Sequence, residues 1–189
     1  TAKPDFVMVK DRGRDGENWN IYHSGIGATQ YLAMSNAAAA TNSNRWNDTE
    51  PTTSLFSLGT NDNTNGSSTY YGLAWHAVAG YSAFGTYDGN GNDNGPTIFT
   101  GFRPRMVFVK NIEQTGTEWS INDSARNTTN PTEKQTNWEN ANAEITGKNI
   151  DFLANGFKIR KNTGAMNNSG RIHIYGAWGD VPFKYNNGF

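Results

Sequence analysis

The sequence contains no cysteine, so it can form neither a disulfide framework nor a thiolate metal site. It also lacks any apolar run near the roughly 18 residues that a membrane-spanning helix needs. Charge is scarce, with 17% charged residues and a net charge of -1 at pH 7. No basic block of the kind that follows phosphates is present. We therefore expect neither a membrane nor nucleic acid as a partner.

Asparagine, glycine and aromatic residues are abundant instead. The chain has 26 Asn, 21 Gly and 13% aromatic residues among its 189 positions. Asn and Gly tolerate the positive φ angles of tight turns, while aromatic and β-branched residues suit half-buried strands. A chain of this length can bury a sufficient core without disulfides. The composition predicts an all-β protein of many short strands joined by polar turns.

An internal duplication is visible in the sequence. Residues 4–10 match residues 104–110, and residues 17–21 match 117–121, both at an offset of 100. The matches continue in the same order, at slightly larger offsets, between 55–58 and 156–159 and between 71–75 and 175–178. We predict two repeats, about 1–79 and 103–183, joined by 80–102. We further predict that both pack as one β-sandwich domain spanning 1–189, part of a larger protein.

Each repeat contains the same series of predicted elements. The apolar or alternating runs that predict strands are 6–10, 19–22, 56–58 and 69–75 in the first repeat, and 106–110, 119–122, 157–159 and 171–178 in the second. For 19–22 and 119–122 the alternation predicts strands buried on one face. Asn65-Gly66 and Asn155-Gly156 are turn signals. Residues 80–102 read as strand, polar loop, strand, while 30–41 and 137–145 are predicted as loops or short helices.

A set of short motifs carries a resemblance to a known family. The motifs are Gly80-Tyr81-Ser82, Phe84 to Tyr87, Gly89-Asn90-Gly91, Thr100 to Pro104, Asp123 to Arg126 with Asn130-Pro131, Asp151 to Arg160, Asn168-Ser169-Gly170, Tyr175 and Pro182-Phe183. Together they resemble a domain of tailed-phage virion proteins, many of them marine, that is often placed in tail fibres. The resemblance implies an antiparallel β-sandwich of the concanavalin A-like (laminin-G-like) jelly-roll type. It implies no catalytic set.

Residue patterns for catalysis are missing. Glycoside hydrolysis needs two carboxylates about 5–10 Å apart, and the seven Glu residues are scattered without a Glu-x-Asp-x-Glu run. The three histidines, His23, His76 and His173, have neither zinc nor triad spacing. His173 alternates with isoleucines in its strand, which predicts a solvated side chain. We predict that the chain is not an enzyme and requires no cofactor.

Calcium is the one metal that the sequence suggests. Two loops rich in Asp, Asn and Gly offer the oxygen donors that Ca²⁺ prefers. The candidate ligands are Asp62, Asn63 and Asn65 in one loop, and Asp88, Asn90 and Asp93 in the other. Neither loop fits the EF-hand template, and such loops are also ordinary turn sequences.

Two tryptophans in polar surroundings are candidates for saccharide binding. Trp46 is accompanied by Asn44, Asn47 and Asp48, and Trp138 by Asn137 and Asn140. An aromatic face can stack on a sugar ring while amides and carboxylates bond its hydroxyls. Structural packing explains these two tryptophans equally well. The other four, Trp19, Trp75, Trp119 and Trp178, recur between the repeats at strand positions and are predicted to lie in the core.

These expectations define three functional hypotheses. The first is a non-catalytic receptor-binding or carbohydrate-binding module of a phage tail fibre or head, with a host-surface glycan or other virion proteins as partner. The alternative is a structural virion protein, a capsid decoration or fibre segment, that contacts only protein. A glycan-degrading enzyme is a distant third. In each case we expect a location on the virion surface, outside the cell, and a homo-oligomer such as a trimer.

Overall fold

A computed structural model describes residues 2–147 and 149–180. The fold over these residues is all-β, as predicted. The strands are β1 (Phe6–Asp11), β2 (Asn20–His23), β3 (Gln30–Ala33), β4 (Ala40–Thr41), β5 (Tyr70–Trp75), β6 (Ser82–Asp88), β7 (Thr97–Phe99), β8 (Pro104–Asn111), β9 (Ser120–Asp123), β10 (Lys134–Asn137), β11 (Ile145–Thr146), β12 (Ile150–Leu153), β13 (Gly156–Ile159) and β14 (Ile172–Gly179). Two single-turn helices, α1 (Ser43–Trp46) and α2 (Asp62–Asn65), lie between β4 and β5. No helix in this part of the chain has the length and apolarity to cross a membrane.

The strands form three antiparallel sheets. The first-repeat sheet has the order β4-β3-β2-β1-β5, and the second-repeat sheet has the order β11-β10-β9-β8-β14-β6. A small sheet, β12-β13-β7, completes the set. The sandwich prediction is confirmed, whereas jelly-roll connectivity stays a prediction.

The duplication extends to the pairing register. Met8 pairs with Ile21 across β1 and β2, and Phe108 pairs with Ile121 across β8 and β9. On the other side, Phe6 faces Trp75 in the same way that Met106 faces Trp178. Because a slip of one residue would invert every side chain, identical registers give both repeats the same inner and outer faces.

The two main sheets pack against each other through these equivalent inner faces. The central core between them contains the Phe6, Trp19, Ile21 and Trp75 side chains of the first repeat and the Phe108, Trp119, Ile121, Trp138 and Trp178 side chains of the second. The rings of Phe6 and Phe108 lie 5.1 Å apart. The indole of Trp119 also donates a hydrogen bond to the Ser35 carbonyl of the other repeat, at 3.1 Å.

The outer faces of the two main sheets are covered differently. Val107 and Val109 of β8 pack under the small sheet, with Phe157 and Ile159. The corresponding face of β1 is covered by the 43–66 segment, where Trp46, Phe56 and Leu58 meet Val7 and Val9. Residues 56–58 form no strand, so that prediction is wrong. Their counterpart β13 pairs with both β12 and β7, and residues 56–58 have no described strand beside them.

Other local predictions also need correction. Residues 30–41, predicted as loop or short helix, contain β3 and β4, whereas 137–145 is a loop, one of the two predicted alternatives, between the ends of β10 and β11. β2 is buried on both faces rather than one, and in β9 the polar Ser120 and Asn122, expected to face solvent, are buried while Ile121 is partly buried. The strand–loop–strand reading of 80–102 is confirmed by β6 and β7. The Asn155-Gly156 turn joins β12 to β13, whereas Asn65-Gly66 ends α2.

One domain over 1–189 stays a prediction. The end of its second repeat, residues 181–183, lies outside the described residues, as does the Pro182-Phe183 motif.

We expect Phe108→Ala to lower the free energy of unfolding by roughly 3–5 kcal/mol, the usual cost of truncating a buried Phe. Phe108 is fully buried between the sheets. The matched control is Phe99→Ala on β7, where the ring is 69% exposed and the expected change is within about 0.5 kcal/mol. Urea denaturation followed by tryptophan fluorescence and far-UV circular dichroism measures both. Equal effects of the two variants, or two separate transitions, would contradict the shared core.

Candidate functional site

Two clefts lie at repeat-related positions, each beside the loop that joins the first two strands of its repeat. The first-repeat cleft has a volume of about 490 Å³ and is lined by Gly13, Arg14, Asp62, Gly66, Ser68 and Tyr70, among others. The second-repeat cleft has a volume of about 320 Å³, and its lining includes Gln114, Thr117, Glu118, Gln135, Lys161 and Thr163.

A shared turn forms one wall of both clefts. The backbone N–H groups of Thr64 and Asn65 donate to the Asn61 carbonyl, and those of Met166 and Asn167 donate to Thr163 in the same pattern. These pairs are related by an offset of 102 residues. The two turns are therefore equivalent, whereas the linings of the two clefts share only the equivalent positions Arg14 and Gln114, and Asp62 and Gly164.

The strand-joining loops that form the opposite wall are fixed by matching contacts. The side chain of Asp11 accepts from the Gly13 N–H at 2.8 Å, and that of Asn111 accepts from the Glu113 N–H at 3.0 Å. The Lys10 ammonium donates to the Glu17 carbonyl, as Lys110 does to Thr117. Each loop is thus held from inside, which places the backbone of both clefts.

Two buried amides lie under the second-repeat cleft. Asn122 on β9 and Gln135 on β10 face each other directly in the strand register. Asn122 also pairs with Val107, so both amides point to the side of the sheet that carries the outer core. The alternation of apolar and polar residues in β9 predicts that Asn122 faces solvent. In the structure that side of β9 lies under the outer core instead.

The hydrogen bonds of these amides are incomplete among the described residues. Gln135 is 4% exposed, and its amide nitrogen donates to Ser120 and Asn137, both at 3.1 Å. Its side-chain oxygen has no partner, and neither side-chain atom of Asn122 has one. A buried polar group without a partner costs roughly 1–3 kcal/mol. A ligand that donates to Gln135 would remove part of that cost, since Gln135 lines the cleft.

The charged groups around the second-repeat cleft are few and balanced. Lys161 and Glu118 are the charged residues in its described lining. Lys161 donates to the side-chain oxygen of Asn149 at 3.1 Å, and burial lowers the Lys161 pKa while Glu118 opposes the shift. Behind the wall, burial lowers the pKa of Lys110 to about 8, against the opposing charges of Glu139 and Glu118. The balance of one acid and one base favours a neutral polar ligand.

The first-repeat cleft has a different electrostatic character. Arg14 lines it, but its guanidinium is bound to the Asp11 carboxylate at 2.6 Å and to the Asn63 side chain at 2.9 Å. The Ser68 hydroxyl, above all, together with Arg14 and the Gly13 N–H, lowers the pKa of Asp11 to about 2. The positive charge of Arg14 is therefore neutralised by the Asp11 carboxylate within the protein.

The tryptophans proposed for sugar stacking lie in the cores. Trp46 is 2% exposed and packs edge-on against Tyr22, with ring centroids 6.1 Å apart. Trp138 lies in the central core, 5.6 Å from Phe108 and 6.3 Å from Trp119. Trp46 is thus enclosed by packing, whereas Trp138 is partly buried, and saccharide contact by Trp138 stays a prediction.

The polar residues proposed beside these tryptophans are not gathered into one site. Asn44 and Asp48 are exposed at opposite ends of α1. Asn140 bonds Glu139 and the Asn142 N–H within its own loop. Asn137 is the exception, because its side chain accepts from Gln135 and so belongs to the surroundings of the second-repeat cleft.

Three of the six proposed calcium ligands already use a side-chain oxygen in a hydrogen bond within the protein. Asn63 accepts from Arg14, Asn90 from the Asn92 N–H and Asp93 from the Asn162 N–H. Asn65 bonds the Gly59 carbonyl through its nitrogen, and Asp62 and Asp88 are exposed. Within 2–147 and 149–180, no three His, Cys, Asp or Glu side chains are grouped to hold a metal. Calcium stays a prediction.

The histidine prediction was wrong for one strand. His173 is fully buried, and its ring stacks on Tyr87 at 5.0 Å instead of facing solvent. His23 is buried too, with its Nε2 3.0 Å from the Tyr175 carbonyl, and burial lowers its pKa to about 4. His76 is exposed.

We expect Asp11→Asn, which introduces the residue found at the equivalent position 111, to destabilise the fold at pH 7. Because the pKa of Asp11 is lowered on folding, the stabilisation is present above pH ~4 and is lost as the pH falls toward 2. The difference between variant and parent should therefore shrink over that range, as measured by urea denaturation at a series of pH values. Ser68→Ala, which removes the largest cause of the shift, should move this loss to higher pH. A difference that stays constant from pH 7 to 2 would refute the assignment.

Comparison with known proteins assigns the chain to a family. No curated protein and no solved structure matches it. The model of one protein family matches residues 1–182, which cover both repeats and both clefts. The chain belongs to the family described as Domain of unknown function (DUF7483).

Proposed function

We propose that this chain is a non-catalytic, glycan-binding domain on the surface of a phage virion, and that the second-repeat cleft is its binding site. The observation that carries the proposal is the Gln135 side chain, which belongs to the lining of the cleft and whose buried oxygen lacks a partner among the described residues. The phage setting rests on the sequence resemblance described above.

The chemistry of the cleft suits a polyhydroxylated ligand. Amides can donate and accept at once, which matches the paired donor and acceptor character of sugar hydroxyls. Thr117, Thr163 and Gln114 add further polar groups to the lining. The volume of about 320 Å³ is at the small end of the roughly 300–1,000 Å³ typical of ligand pockets. A short saccharide segment is the ligand class we infer.

The first-repeat cleft supplies a second, non-identical site in the same proposal. Its position 14 is Arg where the second repeat has Gln114. The Arg14 guanidinium is bound to Asp11, so it would serve to shape the cleft more than to attract an anion. Two related clefts on one chain would let a domain of modest affinity gain avidity for a repetitive surface.

A structural virion role is the alternative, and a different observation favours it. Tyr71 and Leu73 on β5 are 54% and 42% exposed, and Leu55, near the end of the same strand, is 57% exposed. Apolar surface of this kind is suited to contact with other proteins of the particle or with copies of the chain in a homo-oligomer. This role would explain the fold without any glycan.

We expect a glycan array to show binding by the parent chain and loss of roughly three- to tenfold in affinity for Gln135→Leu, since a neutral hydrogen bond contributes about 0.5–1.5 kcal/mol. The matched control is Gln30→Leu on β3, the strand of the first repeat that corresponds to β10. Gln30→Leu should bind as the parent does. Running the array with calcium and with chelator tests the metal prediction at the same time.

The outcomes separate the three functional hypotheses. Equal binding by both variants would exclude the second-repeat cleft as the site. No glycan bound by a folded sample, judged by circular dichroism, would favour the structural virion role. Release of new reducing ends from a bound glycan would contradict the non-catalytic assignment.

A further inference from the structure

The first-repeat sheet has an open edge that its counterpart does not have. β5 is the outermost strand of that sheet and pairs only with β1 among the described strands. Its repeat equivalent, β14, lies between β8 and β6. Within residues 2–147 and 149–180, the edge that β6 occupies in the second repeat therefore has no strand in the first.

Burial differs accordingly at equivalent positions. Tyr71 faces Lys10 as Ile174 faces Lys110, and the exposed fractions are 54% and 0%. Ala74 faces Val7 as Ala177 faces Val107; Ala74 is exposed and Ala177 is fully buried. Both strands are apolar, so β5 has the composition of a covered strand without the cover.

The backbone of β5 is also oriented for pairing. The Trp75 carbonyl accepts from the Asp5 N–H at 2.8 Å, so it points toward β1. Because successive residues of an antiparallel strand alternate between its two neighbours, Tyr70, Gly72 and Ala74 direct their N–H and C=O groups to the open edge. In the second repeat, Gly179 of β14 lies two residues after Ala177, the equivalent of Ala74. Its N–H donates to the Tyr81 carbonyl at 2.6 Å on the side where β6 lies.

No device that usually blocks edge pairing is present on β5. Proteins protect free edges with charged side chains, proline or bulges. β5 reads Tyr-Tyr-Gly-Leu-Ala-Trp, with neither charge nor proline, and its register on β1 is regular over six residues. A groove of about 200 Å³ follows the strand end, lined in part by Pro4, Leu55, Phe56 and Ala74. Backbone and side chains thus both offer contacts to an added strand.

We propose that β5 is a docking site for an extended, antiparallel strand of another polypeptide, with the chemistry of β6. The second repeat shows what such a strand contributes. Ala83 and Gly85 of β6 face Ala177 and Tyr175, while Phe84 reaches between the sheets, 5.3 Å from Trp178. A docked strand would carry small residues at the paired positions and one aromatic residue against Leu73 and Trp75.

This inference does not depend on glycan binding, since the β5 edge and the second-repeat cleft use different residues. The contact is β-strand addition, in which main-chain hydrogen bonds give affinity and side-chain pockets give specificity. The occupant is a partner polypeptide whose strand resembles Ser82–Asp88.

The test uses a fluorescent peptide of residues 80–89, which contains β6, and measures its anisotropy on titration with the full chain. We expect saturable binding by the parent and at least roughly tenfold weaker binding by Gly72→Pro, because proline removes an outward N–H without breaking a bond to β1. Gly72→Ala is the matched control. A Cβ there meets only the Phe56 ring, at an ordinary 3.8 Å, so binding should match the parent.

A second probe protects the test against misfolding of the proline variant. Methylation of the Gly85 nitrogen removes an N–H donor from the peptide rather than from the protein. Binding of this peptide to the parent chain should weaken by a factor similar to that for Gly72→Pro. Absence of peptide binding would overturn the proposal. Equal binding of the peptide by Gly72→Pro and Gly72→Ala would also overturn the proposal, because the peptide would then be binding elsewhere, for example to β14 in place of β6. Sedimentation that shows chains pairing through β5, with no peptide binding, would overturn it in favour of a second copy as occupant.

Discussion

The aromatic contact between the inner faces of the two repeats is the constraint on which the rest of the structure depends. Phe6, Phe108 and Trp119 fill the space between the main sheets, and none of these side chains is exposed. Since both sheets have the same register, the contact joins equivalent surfaces and leaves equivalent surfaces facing outward. Each outer face carries the valines of its central strand, Val7 and Val9 or Val107 and Val109, and their burial requires a cover from the remaining segments of the chain.

The two repeats diverge in the segments that cover their outer faces. In the second repeat, a three-stranded sheet covers the outer face. In the first, Trp46 and a segment with little regular structure fill the corresponding space. The single large side chain of Trp46 covers Val7 and Val9, whereas several residues of β12 and β13 cover Val107 and Val109 in the second repeat. Clefts built from one template consequently acquire different linings, with Arg14 in one and Gln114 in the other.

Sequence reasoning succeeded where a local signal determines structure. The matched runs 4–10 and 104–110 predicted β1 and β8, because short apolar β-branched runs favour strands. It failed for 30–41 and for His173, since pairing with β2 and burial under the 161–166 turn are tertiary effects. The residues of the candidate site escaped for the same reason. Asn122 looks like the solvent-facing position of an alternating strand, and Gln135 lies in a polar run for which no strand is predicted; no local pattern reveals that a second layer covers them.

The buried amides of Asn122 and Gln135 carry a cost for the stability of the fold. A hydrophobic pair at Asn122 and Gln135 would fit a strand face that already carries Val107 and Val109. Replacing both partners of a buried polar contact by apolar groups is often neutral or stabilising. Asn122, whose side-chain atoms have no partner among the described residues, therefore lowers the stability of the fold, whereas Gln135 offsets part of its cost through its hydrogen bonds to Ser120 and Asn137. Their presence is consistent with a role outside folding, and the cleft beside Gln135 is where a hydrogen-bonding ligand would meet that need.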